Sequence, residues 1–173
     1  MRKLFCLLGL FFTAGCATSR PLPDPCTLLT VADIELAQGN AFTAAEKSVK
    51  TSGGVTVAEC YFRLPEESRS VTLELTRAGS PHATRELWEK QFEPNEHEGK
   101  KEAEERENGR ETHGVEIPGL GEDAIWSGNR VSGALYVRTP DTILRISLGG
   151  IGTQELKVER AKLLAKRALA RLQ

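Results

Sequence analysis

The chain has 173 residues, 39% of them hydrophobic and 27% charged, with 23 basic against 24 acidic side chains and a formal net charge of −1. That balance excludes the basic footprint of a nucleic-acid-binding protein and of a polybasic membrane-binding surface. The length suits one domain with its own hydrophobic core, and beyond the opening segment no apolar run approaches membrane-spanning length.

The opening segment carries Arg2 and Lys3, followed by an uncharged stretch over residues 4–19 that ends before Arg20. As a helix it would be roughly 24 Å long, short of the ~30 Å hydrocarbon core of a bilayer. A positive start, a short apolar run and small residues before a break describe a secretory signal peptide, which we place at residues 1–15. Thr13-Ala14-Gly15-Cys16 resembles the lipobox of bacterial lipoproteins, with Thr13 where leucine is usual. That resemblance implies cleavage after Gly15, a diacylglyceryl thioether on Cys16 and acylation of the new amine. Two or three acyl chains, each methylene contributing about 0.8 kcal/mol, hold a protein on a bilayer where one chain is marginal. The alternative is ordinary signal cleavage with Cys16 left free. Ala17 follows the cysteine, so the aspartate that retains many lipoproteins at the inner membrane is missing. The expected address is the cell envelope, at the outer membrane if the bacterium has one.

Removing Arg2 and Lys3 leaves 21 basic residues against 24 acidic ones. With Cys6 in the signal and Cys16 assigned to lipid, Cys26 and Cys60 remain, and in an oxidising compartment two cysteines most simply pair. A catalytic or metal-binding thiol is the alternative, although neither cysteine has a CxxC partner or a nearby histidine.

Residues 17–25, ATSRPLPDP, hold three prolines and read as a short extended tether, so that residues 16–25 link lipid to a domain over 26–173. Thr30, with Asp33 three residues on, opens a helix that runs to Gln38 and stops at Gly39. Residues 42–49 form a weak strand, 51–54 a turn and 55–64 a stronger strand. Over 70–77, Val71, Leu73 and Leu75 alternate with Thr72, Glu74 and Thr76, giving one packed and one wet face. Ser80-Pro81 starts a helix with Leu87, Trp88 and Phe92 on one side. Residues 95–114 contain no apolar side chain larger than alanine and read as a charged, mobile excursion or a fully solvated helical extension, with a charged arm or metal-binding loop as the functional alternative. Three more strands follow at 124–127, 132–139 and 142–148. Thr153 then opens a last helix, striped by Leu156, Leu163, Leu164, Ala168 and Leu169. Hairpins of amphipathic strands with helices between them predict an α+β fold, a mainly antiparallel sheet of about six strands with helices packed on it.

Several short motifs together resemble a family of exported bacterial lipoproteins of unassigned function. They are Asp24-Pro25-Cys26-Thr27-Leu28-Leu29-Thr30, Cys60-Tyr61, Gly119-Leu120-Gly121 leading to Trp126, and the alanine-rich helix over 161–172. The resemblance spans nearly all of the expected mature chain; the charged stretch at 95–114 departs from its pattern. It implies a PsbP-like α/β/α sandwich with Cys26 bonded to Cys60, and it implies no enzymatic activity.

The residues themselves offer little chemistry. His82 sits in the first turn of a helix facing solvent, and His97 and His113 flank the charged stretch without HExxH or His-x-His spacing. No G-x-S-x-G elbow is present. Gly150-Ile151-Gly152-Thr153 lies between a strand and a helix, where a phosphate-binding turn would lie. With only a terminal helix following, it reads as a tight turn with Thr153 as N-cap. Glu122 and Asp123 read as turn residues on different sides of a strand, while Trp88, Trp126 and Tyr136 are core aromatics or the walls of a groove. The expectation is a lipid-anchored, non-enzymatic binding protein without cofactor or metal, whose partner is another envelope protein or component. A carrier or sensor of a small apolar ligand between sheet and helices is the alternative.

Overall fold

The computed structural model describes residues 21–92, 114–128, 132–150 and 152–172. The expected signal peptide, Cys16, His97, His113 and all of the charged stretch except Gly114 lie outside the described residues.

A single-turn 3-10 helix at Pro25–Thr27 opens the fold, with the Asp24 carboxylate accepting from the Cys26 N–H at 2.9 Å. Helix α1 (Val31–Gln38) begins in a reciprocal cap, because Thr30 Oγ1 accepts from Asp33 N–H and Asp33 Oδ2 accepts from Thr30 N–H. It ends at Gly39, whose φ of 78° is left-handed. Strands β1 (Ala44–Ser52) and β2 (Val55–Arg63) form a hairpin through Gly53 and Gly54. Their φ values of 57° and 78° are those of a two-residue turn that few other residues adopt. The first strand therefore starts and ends later than its weak hydrophobic pattern predicted. Strand β3 (Val71–Arg77) follows, and helix α2 (Pro81–Phe92) starts with Ser80 Oγ accepting from Ala83 N–H at 3.1 Å.

The second half contains β4 (Val115–Glu116), β5 (Asp123–Gly128), β6 (Gly133–Arg138), β7 (Ile143–Leu148) and the terminal helix α3 (Gln154–Leu172). All seven strands join one antiparallel sheet in the order β1-β2-β3-β7-β6-β5-β4, so two meanders meet where β3 pairs with β7. The fold is the expected α+β arrangement with one strand more than predicted, since two residues are too few to show a period of two.

Helices α1 and α3 cover one face, the inner one. There Cys60, Phe62, Val71, Leu73, Leu75, Leu135, Val137, Leu144 and Ile146 are fully buried. Cys26 is bonded to Cys60 on this face, which ties the start of the domain to a central part of β2. Gln38, also fully buried, donates to the carbonyls of Arg69 at 2.8 Å and Gly149 at 3.3 Å, joining α1 to the ends of β3 and β7. The buried stripe of α3 runs through Ala161, Leu164, Ala165 and Ala168, with Leu163 and Leu169 at its margins and Leu156 exposed. The stripe is thus rotated from its leucine-based prediction. Alanines let the helix approach the sheet closely, whereas the leucines fill the flanks.

Among the described residues the outer face is covered only in part, by α2. Phe92 meets Tyr136 edge-on with ring centroids 4.9 Å apart, and Trp88 lies against Phe92 at 4.5 Å. Thr84 is buried and anchors the helix: its hydroxyl accepts from Ala78 N–H at 3.1 Å and donates to the Ser80 carbonyl at 3.2 Å.

Candidate functional site

A concavity lies where α3 ends. The inner face extends beyond its helical cover at the end defined by the β1–β2 hairpin, the β6–β7 turn and the loop before β5. Pro21-Leu22-Pro23 runs across this end, which no described helix covers. On one side of that segment is a groove of about 820 Å³, walled by Leu22, Pro140, Leu169 and Leu172 with Arg77 and Glu122 at its margins. On the other side is a recess of about 380 Å³ between Leu22 and the sheet residues Lys47, Val49 and Ala58.

The charges around the groove are largely neutralised by one another. Arg77 contacts Asp141 at 3.1 Å and donates to Thr142 Oγ1 at 2.8 Å. Arg171 donates to the Leu28 carbonyl at 2.8 Å and pairs with Asp33, also at 2.8 Å. Glu122 of the groove wall accepts from Arg138, a buried residue of β6 whose guanidinium also donates to Asp123. Burial alone would lower the pKa of Arg138, but Asp123 and Glu122 outweigh it and raise the value, so the cation is held more firmly than in water. An apolar trough bordered by compensated charges suits a neutral or weakly polar group better than a free anion.

Two carboxylates mark how this end is tied together. Burial pushes the Asp33 pKa up, but hydrogen bonds from Thr30 and Arg171 outweigh it and hold the carboxyl below its usual range. Asp24 is lowered chiefly by its bond to Lys47, at 2.8 Å, and then by the Cys26 N–H.

The residues singled out in the sequence scatter. His82 is 82% exposed and lies 3.8 Å from Glu86, as its place in the first turn predicted. Trp88 and Tyr136 share the outer face, whereas Trp126 is buried in the inner core, so the three aromatics do not line one groove. A smaller cleft of about 290 Å³ does lie between α2 and the sheet, with Leu87, Gln91, Tyr136 and Arg145 in its walls. Thr153 caps α3 by accepting from Leu156 N–H at 3.3 Å. Glu122 and Asp123 do not diverge as expected. Glu122 precedes the strand, so both acids turn onto Arg138 of the neighbouring β6. Among the described residues no group of three or more histidines, cysteines or acids could hold a metal ion.

Sequence inspection missed the groove because its walls come from five separate segments. Its one local signal was Leu22 between two prolines, an apolar side chain on a stiff, extended segment. The class defined by this geometry is a one-sheet α+β domain, closed by a disulfide and, among the described residues, left open at the end where its N-terminal segment enters. No family model, curated sequence or solved structure matches the chain.

Proposed function

We propose that the protein is a lipid-anchored lipoprotein of the bacterial cell envelope, held to the membrane through Cys16, and that its domain acts by binding another envelope protein or component rather than by catalysis. The observation that carries this reading is the Cys26–Cys60 disulfide. A disulfide closing the start of the domain onto its core belongs to an oxidising compartment, which is where the signal-like segment and the lipobox-like Thr13-Ala14-Gly15-Cys16 would send the chain. No described helix is long and apolar enough to cross a membrane, so the acyl chains on Cys16 would supply the attachment. Metabolic labelling with an alkyne fatty acid tests the anchor: wild type incorporates the label and sediments with membranes, and Cys16→Ser does neither. Crosslinking in intact cells then compares partners of the two forms; a protein without partners in either form contradicts the binding role.

The groove at the N-terminal end supports a second reading, a carrier or sensor of a small apolar ligand. Its walls of proline and leucine and its compensated charges favour an uncharged guest. Native mass spectrometry of protein purified from membranes distinguishes the two readings, because a carrier retains a small molecule of constant mass and a pure protein-binding domain does not.

A further inference from the structure

The two edges of the sheet are unequal. Strand β4 is only two residues long, whereas β1 presents nine residues, unbroken in register against β2, with every residue after Ala44 exposed. It contains no proline. Long, regular edges are templates for further strand pairing, which natural proteins normally prevent with bulges, prolines or charge.

The two-residue turn makes Ser52 and Val55 a hydrogen-bonded pair, and antiparallel pairs alternate from there. Residues 44, 46, 48, 50 and 52 therefore bond to β2, while Ala45, Lys47, Val49 and Thr51 direct their N–H and C=O groups to the edge that no described strand covers. An added antiparallel strand must take its bonds from those four. The sequence Ala44-Ala45-Glu46-Lys47-Ser48-Val49-Lys50-Thr51-Ser52 can do this against a copy of itself. With a two-fold axis at Ser48, Lys47 pairs with Val49 and Ala45 with Thr51 as hydrogen-bonded partners. Glu46 and Lys50 then face each other as a non-hydrogen-bonded pair, the type whose side chains come closest. Registers centred one hydrogen-bonding step away leave residues unpaired, and they set Lys47 against Lys47 or oppose Lys50 with Ser48.

We propose that β1 is a homodimerisation edge: a second copy of this chain pairs its own β1 antiparallel about a two-fold axis at Ser48, each Glu46 facing the partner's Lys50. The two lysines of β1, which would block most strands from adding, thereby become a selector for this partner and register. Glu46 and Lys50 lie on the outer face, where Glu46 already meets Arg63 at 2.6 Å, so the new pair extends an existing charge row. Lys47 lies on the other face, beside Asp24, and meets an uncharged valine. The dimer is isologous and joins both sheets into one. This inference does not depend on the lipid anchor or on the groove.

Single cysteines introduced at 47, 48 and 49 of the purified full chain, followed by mild oxidation, test the register, with the unsubstituted chain as baseline. On the axis, Ser48→Cys places two thiols on directly opposed residues, within the Cα separation a disulfide spans. It is expected to form covalent dimer about tenfold faster than Lys47→Cys or Val49→Cys. Sedimentation over a concentration series tests the charges. Lys50→Glu sets two pairs of glutamates against each other and weakens the dimer by about tenfold or more, and the double change Glu46→Lys, Lys50→Glu recovers it. A chain that stays monomeric at every concentration, cysteines that crosslink equally, or a charge swap without recovery overturns the proposal. None of those outcomes bears on whether Cys16 is acylated.

Discussion

On the inner face, β3 and β7 contribute Leu73, Leu75, Leu144 and Ile146, all fully buried beneath α1 and α3. On the outer face the intervening residues of the same strands are Glu74, Thr76, Arg145 and Ser147, half-buried and only partly covered by α2. The two faces share one backbone and one register, yet along β3 and β7 one is held by close packing and the other, outside the aromatic contacts of α2, by polar contacts that water can replace. Stability is therefore concentrated on the inner face, and substitutions on the outer face should be tolerated. The contrast can be broken at graded points, most sharply at its apolar centre.

Leu73 pairs with Cys60 on one side and Ile146 on the other, so a smaller side chain there leaves a hole with little freedom to collapse. Leu73→Ala is expected to destabilise by about 4–5 kcal/mol, the upper part of the range for buried leucines, read as a lowered urea midpoint with unchanged slope. Next in size is the covalent tie. Closing a 34-residue separation restricts the unfolded chain by about 3–4 kcal/mol in the chain-entropy account. The Cys26→Ala, Cys60→Ala protein, or the reduced wild type, should unfold at correspondingly lower urea.

Asp33 probes the inner layer's polar rim. Asp33→Asn weakens its partnership with Thr30, Arg167 and Arg171 at an expected cost of about 1–2 kcal/mol. Its folded pKa is lowered, so its contribution is fully present above the unfolded carboxyl value of about 4 and disappears as pH falls through the lower folded value. Urea midpoints measured from pH 6 downward should fall more steeply below pH 4 in wild type than in Asp33→Asn.

The same division explains what was visible in the sequence. Alternation in β3 and β7 announced a two-faced sheet because packing imposes a period of two on one face only. The Thr30–Asp33 cap and the Thr153 cap were legible because caps are local. Arg138 was not, because its partners Glu122 and Asp123 reach it across a strand pair, and two adjacent acids look like a turn. Gln38 was equally silent: its side chain satisfies carbonyls at Arg69 and Gly149, positions joined only by the fold. The groove belongs with these, since each of its segments is ordinary alone.

The smallest expected effect is also the most direct test of the two-face contrast, because it uses neighbouring residues on one strand. Arg145 donates from Nε to the Tyr136 hydroxyl at 3.2 Å, lies 5.7 Å from the centre of that ring and sits 3.6 Å from Glu74. All three residues are direct cross-strand partners, in register across β3, β7 and β6. Counting contacts would rank Arg145 high. Its head group nevertheless remains one-third exposed, so water competes for each contact, and a methionine keeps the apolar stem that lies along the sheet. Arg145→Met should therefore cost about 0.5–1 kcal/mol. The double change with Glu74→Gln should fall short of the sum of the two single changes by no more than about 0.5 kcal/mol. One residue along, Ile146 faces inward between Leu73 and Leu135, and Ile146→Ala should cost about 3–4 kcal/mol. Equal losses at 145 and 146 would mean that the outer charge row is as integral to the fold as the apolar core. A several-fold difference between adjacent residues would place stability on one face of the sheet and leave the other free to meet a partner.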